Sequence, residues 1–420
     1  MLLSFDYQYD GNGNRTAKTG IQGLTAGSSA LDIRYQYDVR GQLLEECRNG
    51  AAVRYAYDAA GNRIQKTEDK KETRYRYNQK NQLLQKEDAD GISCFTYDRQ
   101  GGIIEEKTAA GNRRFTYNSL HQQTQVETET GSIQKNRYDA EGLRYELIEN
   151  GRRTSFVYYN GELLHEKGEK AGLPKEATSY YLGAGIEAFQ RDRKTFYYHQ
   201  DEQLNTALVS DEERKLRNHY QYDAFGAGLD AVEELPNRIR YTGQQYDEQT
   251  GQYYLRARYY NPILGRFMQE DVYQGDGLNL YAYCRNNPVV YYDPSGYGCE
   301  NQGDFASDGC IDPNRKLTAG KNFKSHYKDH KHLLEKLLGK KYPAYKKSND
   351  GEEFLNDLEN LLKNGSLTYD GLGTLKKNDP PKAIYRGSGL TLVLKTDNEF
   401  VTLLKSGEGL DLGIQMLKRR

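Results

Sequence analysis

The chain has 420 residues, enough for two or three domains at roughly 100 to 200 residues each, and no stretch approaches the roughly 18 consecutive apolar residues of a membrane span. Its hydrophobic fraction is 36%, with no Trp and 37 Tyr, so aromatic rings have to supply packing that aliphatic side chains usually give. The net charge of -1 conceals a basic C-terminal part, and five scattered cysteines (Cys47, Cys94, Cys284, Cys299 and Cys310) exclude a disulfide framework.

The N-terminus enters a repeat at once and shows no basic region, apolar core and cleavage site of a secretory leader. Tyr-Asp or Tyr-Asn then recurs about every 20 residues, at Tyr37, Tyr57, Tyr77, Tyr97, Tyr117 and Tyr138, the rhythm of a stacked repeat array. Within a repeat, alternation such as Thr73-Arg74-Tyr75-Arg76-Tyr77 predicts a strand. The following Gly61-Asn62-Arg63 or Asn81-Gln82-Leu83 supplies the residues that tolerate the positive φ of a tight turn. Strand, turn, strand repeated many times predicts one continuous antiparallel sheet, whose bare edges require it to curl on itself. The repeat array is assigned to residues 1–178.

From residue 179 to 298 the period relaxes while the chemistry persists. A dense block contains Tyr253-Tyr254-Leu255-Arg256-Ala257-Arg258-Tyr259-Tyr260, Gly265-Arg266-Phe267, Asn279-Leu280-Tyr281-Ala282-Tyr283 and Asp293-Pro294-Ser295-Gly296. On these residues the sequence up to Gly298 resembles the Rhs and YD-repeat polymorphic toxins. The resemblance implies a mainly β, cocoon-like shell wound around a C-terminal toxin, with the dense block as plug and aspartyl autoprotease. It also implies secretion or display at the cell surface. By it, Asp271 and Asp293 are the acidic pair and the cut falls near Tyr297; Val272 stands where the family often has Pro. Two carboxylates within hydrogen-bond distance share a proton, leaving one acid and one base. Read without the resemblance, Asp271 caps a turn and Asp293 is a turn residue before Pro294.

Residues 299–315 are polar and turn-rich, as a linker is. The last part, 316–420, reads as an α+β domain, and from residue 315 onward it holds about 21 Lys and Arg against about 13 Asp and Glu. An apolar stripe of Phe323, Tyr327, His330, Leu334, Leu337 and Leu338 predicts a helix over 321–338, and Phe354, Leu355, Leu358, Leu361 and Leu362 predict another over 352–363. A Gly/Lys/Pro-rich loop at 371–381 precedes strands at 383–386, 390–395 and 399–404.

The first helix carries three histidines. His330 falls inside the stripe as a core residue, His332 opposite it in solvent, and His326 at the edge, where one ring nitrogen stays accessible for acid–base work. His326 and His330 stand i, i+4, yet the Glu and third ligand of a zinc site are missing, so neither metal nor cofactor is expected. The run from Lys321 to His332, the helix pair, Ile384-Tyr385-Arg386 and a terminal hairpin resemble the BECR group of metal-independent toxin ribonucleases, which includes colicin D-like toxins. That resemblance implies attack of a ribose 2′-OH on the adjacent phosphate, with tRNA as the expected substrate. His326 would be acid or base, Lys324, Lys328 and Arg386 the charge stabilisers, and Ser388 or Thr391 a hydroxyl that orients phosphate. Such a toxin requires a cognate immunity protein. Two other readings are a surface protein whose repeats bind carbohydrate or protein above an inert tail, and a toxin acting on DNA or protein.

Overall fold

The computed structural model describes residues 3–22, 30–159, 161–172, 175–183, 185–272, 279–301, 317–319, 323–346, 348–363, 366–374, 382–395, 399–406 and 415–416. The chain divides into two compact units, 1–302 and 303–419.

The first unit is dominated by one sheet of 22 strands, β1 to β22, running from Leu3 to Glu233. Each strand pairs antiparallel with the next, from Leu3–Tyr9 against Arg15–Gln22 through to Leu216–Tyr222 against Gly228–Glu233. The Tyr-Asp signature has a separate physical task for each residue. The aspartate or asparagine side chain closes the turn: Asp58 Oδ1 accepts from the amides of Ala60 (2.9 Å) and Asn62 (2.8 Å), and Asn118 Oδ1 does the same for Leu120 and Gln122. The tyrosine hydroxyl donates back to a carbonyl of the preceding strand, Tyr57 to Leu43 (2.9 Å), Tyr77 to Arg63 (2.8 Å), Tyr117 to Ile103 (2.9 Å) and Tyr158 to Arg144 (3.0 Å). Each repeat is thereby tied to the one before it. A bulge immediately before Tyr37, Tyr57 and Tyr77 bends and twists the strand, which supplies the curl that the sheet needs.

The curl brings the first strands against the last. Tyr7 donates to Glu202 (2.6 Å), Lys18 pairs with Asp201 (2.9 Å), Arg15 pairs with Glu202, and Arg48 donates to the Tyr222 carbonyl (2.8 Å). The sheet continues through residue 178, because strand Glu176–Leu182 is hydrogen-bonded on both sides; the relaxed period marks no structural break there.

Asp223, in the last repeat turn, accepts from the amides of Phe225 and Ala227 (both 2.9 Å) while its carboxylate lies buried. Burial, and then the neighbouring Glu46 carboxylate, push its pKa from 3.8 up to about 6. The folded chain therefore holds a proton between these values that the unfolded chain releases. The group's contribution is most favourable below pH 4 and is lost as pH rises through about 6. Asn78 and Asn118 perform the same turn function uncharged, so Asp223→Asn is expected to stabilise the first unit by about 2 kcal/mol at pH 7 and by almost nothing at pH 4. Urea denaturation at the two pH values checks this, and an equal effect at both would refute the assignment.

After Glu233 comes the segment expected to act as a plug, and it is called the plug below. Strands β23 (Gln245–Asp247), β24 (Gln252–Leu255), β25 (Arg258–Asn261) and β26 (Arg266–Phe267) make a small antiparallel sheet, followed by the pair β27 (Tyr291–Tyr292) and β28 (Glu300–Asn301). Tyr241, Tyr253, Tyr260, Phe267 and Tyr283 form its buried cluster, with Tyr260 stacked on Tyr283 at 4.1 Å. Tyrosine rather than phenylalanine is required here. The hydroxyls of Tyr241, Tyr260 and Tyr253 donate to three successive carbonyls of the last repeat turn, Ala224 (2.8 Å), Phe225 (2.7 Å) and Gly226 (3.2 Å). Of the residues read as linker, 299–301 belong to the plug: Cys299 is buried in the aromatic cluster and β28 pairs with β27, while Cys310 lies outside the described residues.

The second unit contains α1 (Phe323–Leu338), α2 (Glu352–Lys363) and a six-stranded sheet in the order β29-β33-β32-β31-β30-β34. These strands are β29 (Thr318–Ala319), β30 (Thr368–Thr374), β31 (Lys382–Gly387), β32 (Leu390–Leu394), β33 (Glu399–Lys405) and β34 (Gln415–Met416). Phe323, Tyr327 and Leu334 of α1, Phe354 and Leu358 of α2, and Leu392, Phe400 and Leu403 of the sheet share one core. Three expectations change. The stretch from 371 read as loop begins as strand β30, whose glycines and bulge hide its alternation. Leu337 and Leu338, each 38% exposed, leave the core where α1 ends. His330 is half-buried and not a core residue, because the buried face is centred on Tyr327 and Leu334 and turns toward Glu335, which accepts from the Tyr342 amide (2.9 Å). Residues 396–398, between β32 and β33, and Gly365, just past α2, lie outside the described residues.

Candidate functional site

The structure brings Asp271 and Asp293 together, through a residue to which the sequence reading gave no role. Arg258 on β25 places Nη2 2.8 Å from Asp271 Oδ2 and 3.6 Å from Asp293 Oδ2, with all three side chains buried. Its Nη1 donates to the Leu280 carbonyl (3.2 Å), its Nε donates to the Gly296 carbonyl, and the guanidinium lies 3.5 Å from the Phe267 ring centre. The two carboxylates thus share one cation. The signal for Arg258 was available in charge balance, since an arginine within a run of tyrosines destined for the interior needs carboxylate partners.

The Asp-Pro-Ser-Gly segment is held against this centre by its own turn. Asp293 Oδ1 accepts from the amides of Ser295 (3.1 Å) and Gly296 (2.7 Å), Ala257 N donates to the Ser295 carbonyl (3.1 Å), and Arg256 donates to the Pro294 carbonyl (2.8 Å). Gly296 has φ +77°, and a Cβ there would stand 2.4 Å from the Leu255 carbonyl oxygen, so only glycine fits. The carbonyl of Gly296, which belongs to the peptide bond leading to Tyr297, therefore points at the cation that also holds both carboxylates.

In the second unit, His326 and His330 are both half-buried, with ring centres 5.8 Å apart and planes inclined at 17°. His326 Nδ1 is shielded from solvent and has no hydrogen-bond partner among the described residues. Burial, and then the proximity of His326, lower the His330 pKa. Lys324, Lys328 and His332 are exposed on the same helix. Arg386 is half-buried at the end of β31, and Ser388 is exposed in the following turn.

The Arg-Gly-Ser-Gly sequence proves to be a two-residue hairpin turn, with Ser388 at φ 51° and Gly389 at φ 76° between paired Gly387 and Leu390. Its glycines thus serve the turn and the close approach of Gly387 to Ser366, where a Cβ would meet the carbonyl oxygen at 2.1 Å. Ser388 Oγ donates to that carbonyl (3.3 Å). Thr391 leaves the candidate set: its side chain is 0% exposed and its hydroxyl is hydrogen-bonded to Ser406 Oγ at 2.8 Å, so it cannot reach a phosphate at the surface. Among the described residues no helix is long and apolar enough to cross a membrane.

The chain is 38% identical over 171 residues to the tRNA3(Ser)-specific nuclease WapA of Bacillus spizizenii, a match covering 38% of this chain and 7% of that protein. It is 38% identical over 101 residues to toxin protein Tse5 of Pseudomonas aeruginosa, covering 24% of this chain and 8% of that one. It is 30% identical over 170 residues to double-stranded DNA deaminase toxin A of Burkholderia cenocepacia, covering 38% and 11%. Each match spans a small fraction of the relative's length, and the names state unlike chemistries. The family profile described as Teneurin YD-shell matches residues 3–289, the extent of the repeat sheet and most of the plug, and on that match the chain belongs to the Teneurin YD-shell family.

Proposed function

We propose that the chain is part of a polymorphic toxin of the Rhs class, in which residues 1–301 are shell and plug and 316–420 are a ribonuclease that cleaves tRNA-type RNA without a metal. It is delivered to or beyond the cell surface, and a cognate immunity protein covers its active face in the producer. The observation that carries the reading is the half-buried His326 on a lysine-bearing helix of the second compact unit, in a chain related to proteins named as toxins and tRNA nucleases.

The chemistry follows from roles. A base removes the ribose 2′-OH proton as oxygen attacks phosphorus, cations take up the charge on the phosphorane, and an acid protonates the departing 5′-oxygen. His326 is the acid or base; Lys324, Lys328 and Arg386 are the cations, and Ser388 supplies an exposed hydroxyl. Induced expression in a bacterium without an immunity protein is expected to arrest growth with fragmented small RNA. Arrest with intact RNA and damaged DNA or protein supports the other toxin readings, and no arrest supports a binding protein with an inert tail.

The plug has a second proposed activity, hydrolysis of its own chain near Tyr297. One of Asp271 and Asp293 activates water while the other donates a proton, and Arg258 polarises the Gly296 carbonyl. Asp293→Asn is expected to leave the chain as a single band on a denaturing gel where the native chain yields two; two bands from both would remove Asp293 from the reaction.

A further inference from the structure

We propose that His326 and His330 form a binding site for a transition-metal cation of the Zn²⁺ or Ni²⁺ class, and that the bound ion silences the tail by occupying His326. The inhibitory part rests on the ribonuclease reading; the binding part does not.

Two histidines four residues apart on a helix project from the same side of successive turns, the spacing by which helical histidines share a zinc ion. Here the spacing is realised in a formed helix, α1, with the two rings 5.8 Å apart at their centres and nearly parallel at 17°. Ions of this class bind imidazole nitrogen at about 2.0–2.1 Å, and a rotation of both rings about their side-chain torsions turns one nitrogen of each toward a common point. His326 carries no hydrogen bond among the described residues that such a rotation would break, and its stacking partner is the other ligand.

Both rings are half-buried, which reduces the side-chain freedom left to lose on binding. Among the described residues no third His, Cys, Asp or Glu completes a metal-binding group with them, so water fills the remaining positions. A site with two protein ligands and open positions is exchangeable, unlike the closed four-ligand sites that hold a structural zinc. Exchange suits control: the ion takes the lone pair that His326 needs for proton transfer, and a chelator returns it.

The proposal separates His326, which serves both chemistry and metal, from His330, which serves the metal alone. Titration of the whole chain with Zn²⁺, and separately with Ni²⁺, followed by calorimetry, is expected to show one equivalent of binding that disappears in His330→Gln and in His326→Gln. It is expected to remain in His332→Gln, whose ring is exposed on another face of α1. Far-UV spectra of all four proteins establish that the helix is intact. In RNA cleavage, Zn²⁺ is expected to inhibit the native chain at least 10-fold, reversibly with chelator, while His330→Gln, compared with its own metal-free rate, resists the ion. Binding that survives both substitutions, or equal inhibition of His330→Gln, would overturn the proposal. A chain that binds the ion through these histidines but cleaves no RNA leaves the site standing and refutes the ribonuclease reading alone.

Discussion

His326→Ala is expected to lower RNA cleavage by at least 100-fold and to abolish growth arrest, with the fold of the second unit unchanged. Acid–base catalysis by a positioned side chain contributes on the order of 10²–10⁴ in rate, and His326 combines an oriented ring with a position at the flank of the buried face. The substitution is mild for the helix. Alanine is the best helix former, and the core of α1 rests on Phe323, Tyr327 and Leu334, none of which depends on the histidine. Loss of activity with an unchanged helical spectrum therefore reports chemistry. Cleavage at the native rate would remove His326 from the mechanism and shift attention to Arg386 and the lysines.

Asp247→Ala is expected to destabilise the first unit by about 3–5 kcal/mol, the scale for stranding a buried charge. Asp247 on β23 and Arg144 of the repeat sheet are each 0% exposed. Arg144 Nη2 meets Asp247 Oδ1 at 2.9 Å and Gln245 Oε1 at 3.1 Å, and its guanidinium lies 4.4 Å from the Tyr254 ring centre. Gln134 of the sheet donates to the same carboxylate at 2.8 Å. The pair pins plug to sheet, and removing the carboxylate leaves the cation buried among tyrosines. Urea denaturation followed by tyrosine fluorescence measures the loss, and the double variant Asp247→Ala with Arg144→Met should recover much of it. A change below 1 kcal/mol in the single variant would show that water reaches the site.

The repeat sheet was the most legible part of the sequence because each repeat states its register twice, once in the tyrosine that reaches back and once in the side chain that closes the turn. Both tasks depend only on residues within one repeat of each other, so a local pattern reveals them. The plug was legible as a motif and not as a structure. What Asp271, Asp293 and Gly296 share is Arg258, a meeting of residues from separate strands and turns that no spacing encodes. In the tail, periodicity located both helices, since the apolar stripes of α1 and α2 are strong. It misplaced His330, because a stripe marks a face and not the depth to which neighbouring elements cover it. Thr391 illustrates the converse: a hydroxyl beside a glycine-rich turn looks available for phosphate until pairing of β32 with β33 buries it.

The most direct test of the central claim uses the purified chain, bulk tRNA and excess chelator, with the product ends identified chemically. The account predicts discrete fragments ending in a 2′,3′-cyclic phosphate opposite a 5′-hydroxyl, because attack by the 2′-oxygen leaves those groups and no others. Intact RNA from a folded chain, or fragments that appear only when a divalent cation is restored, would contradict it.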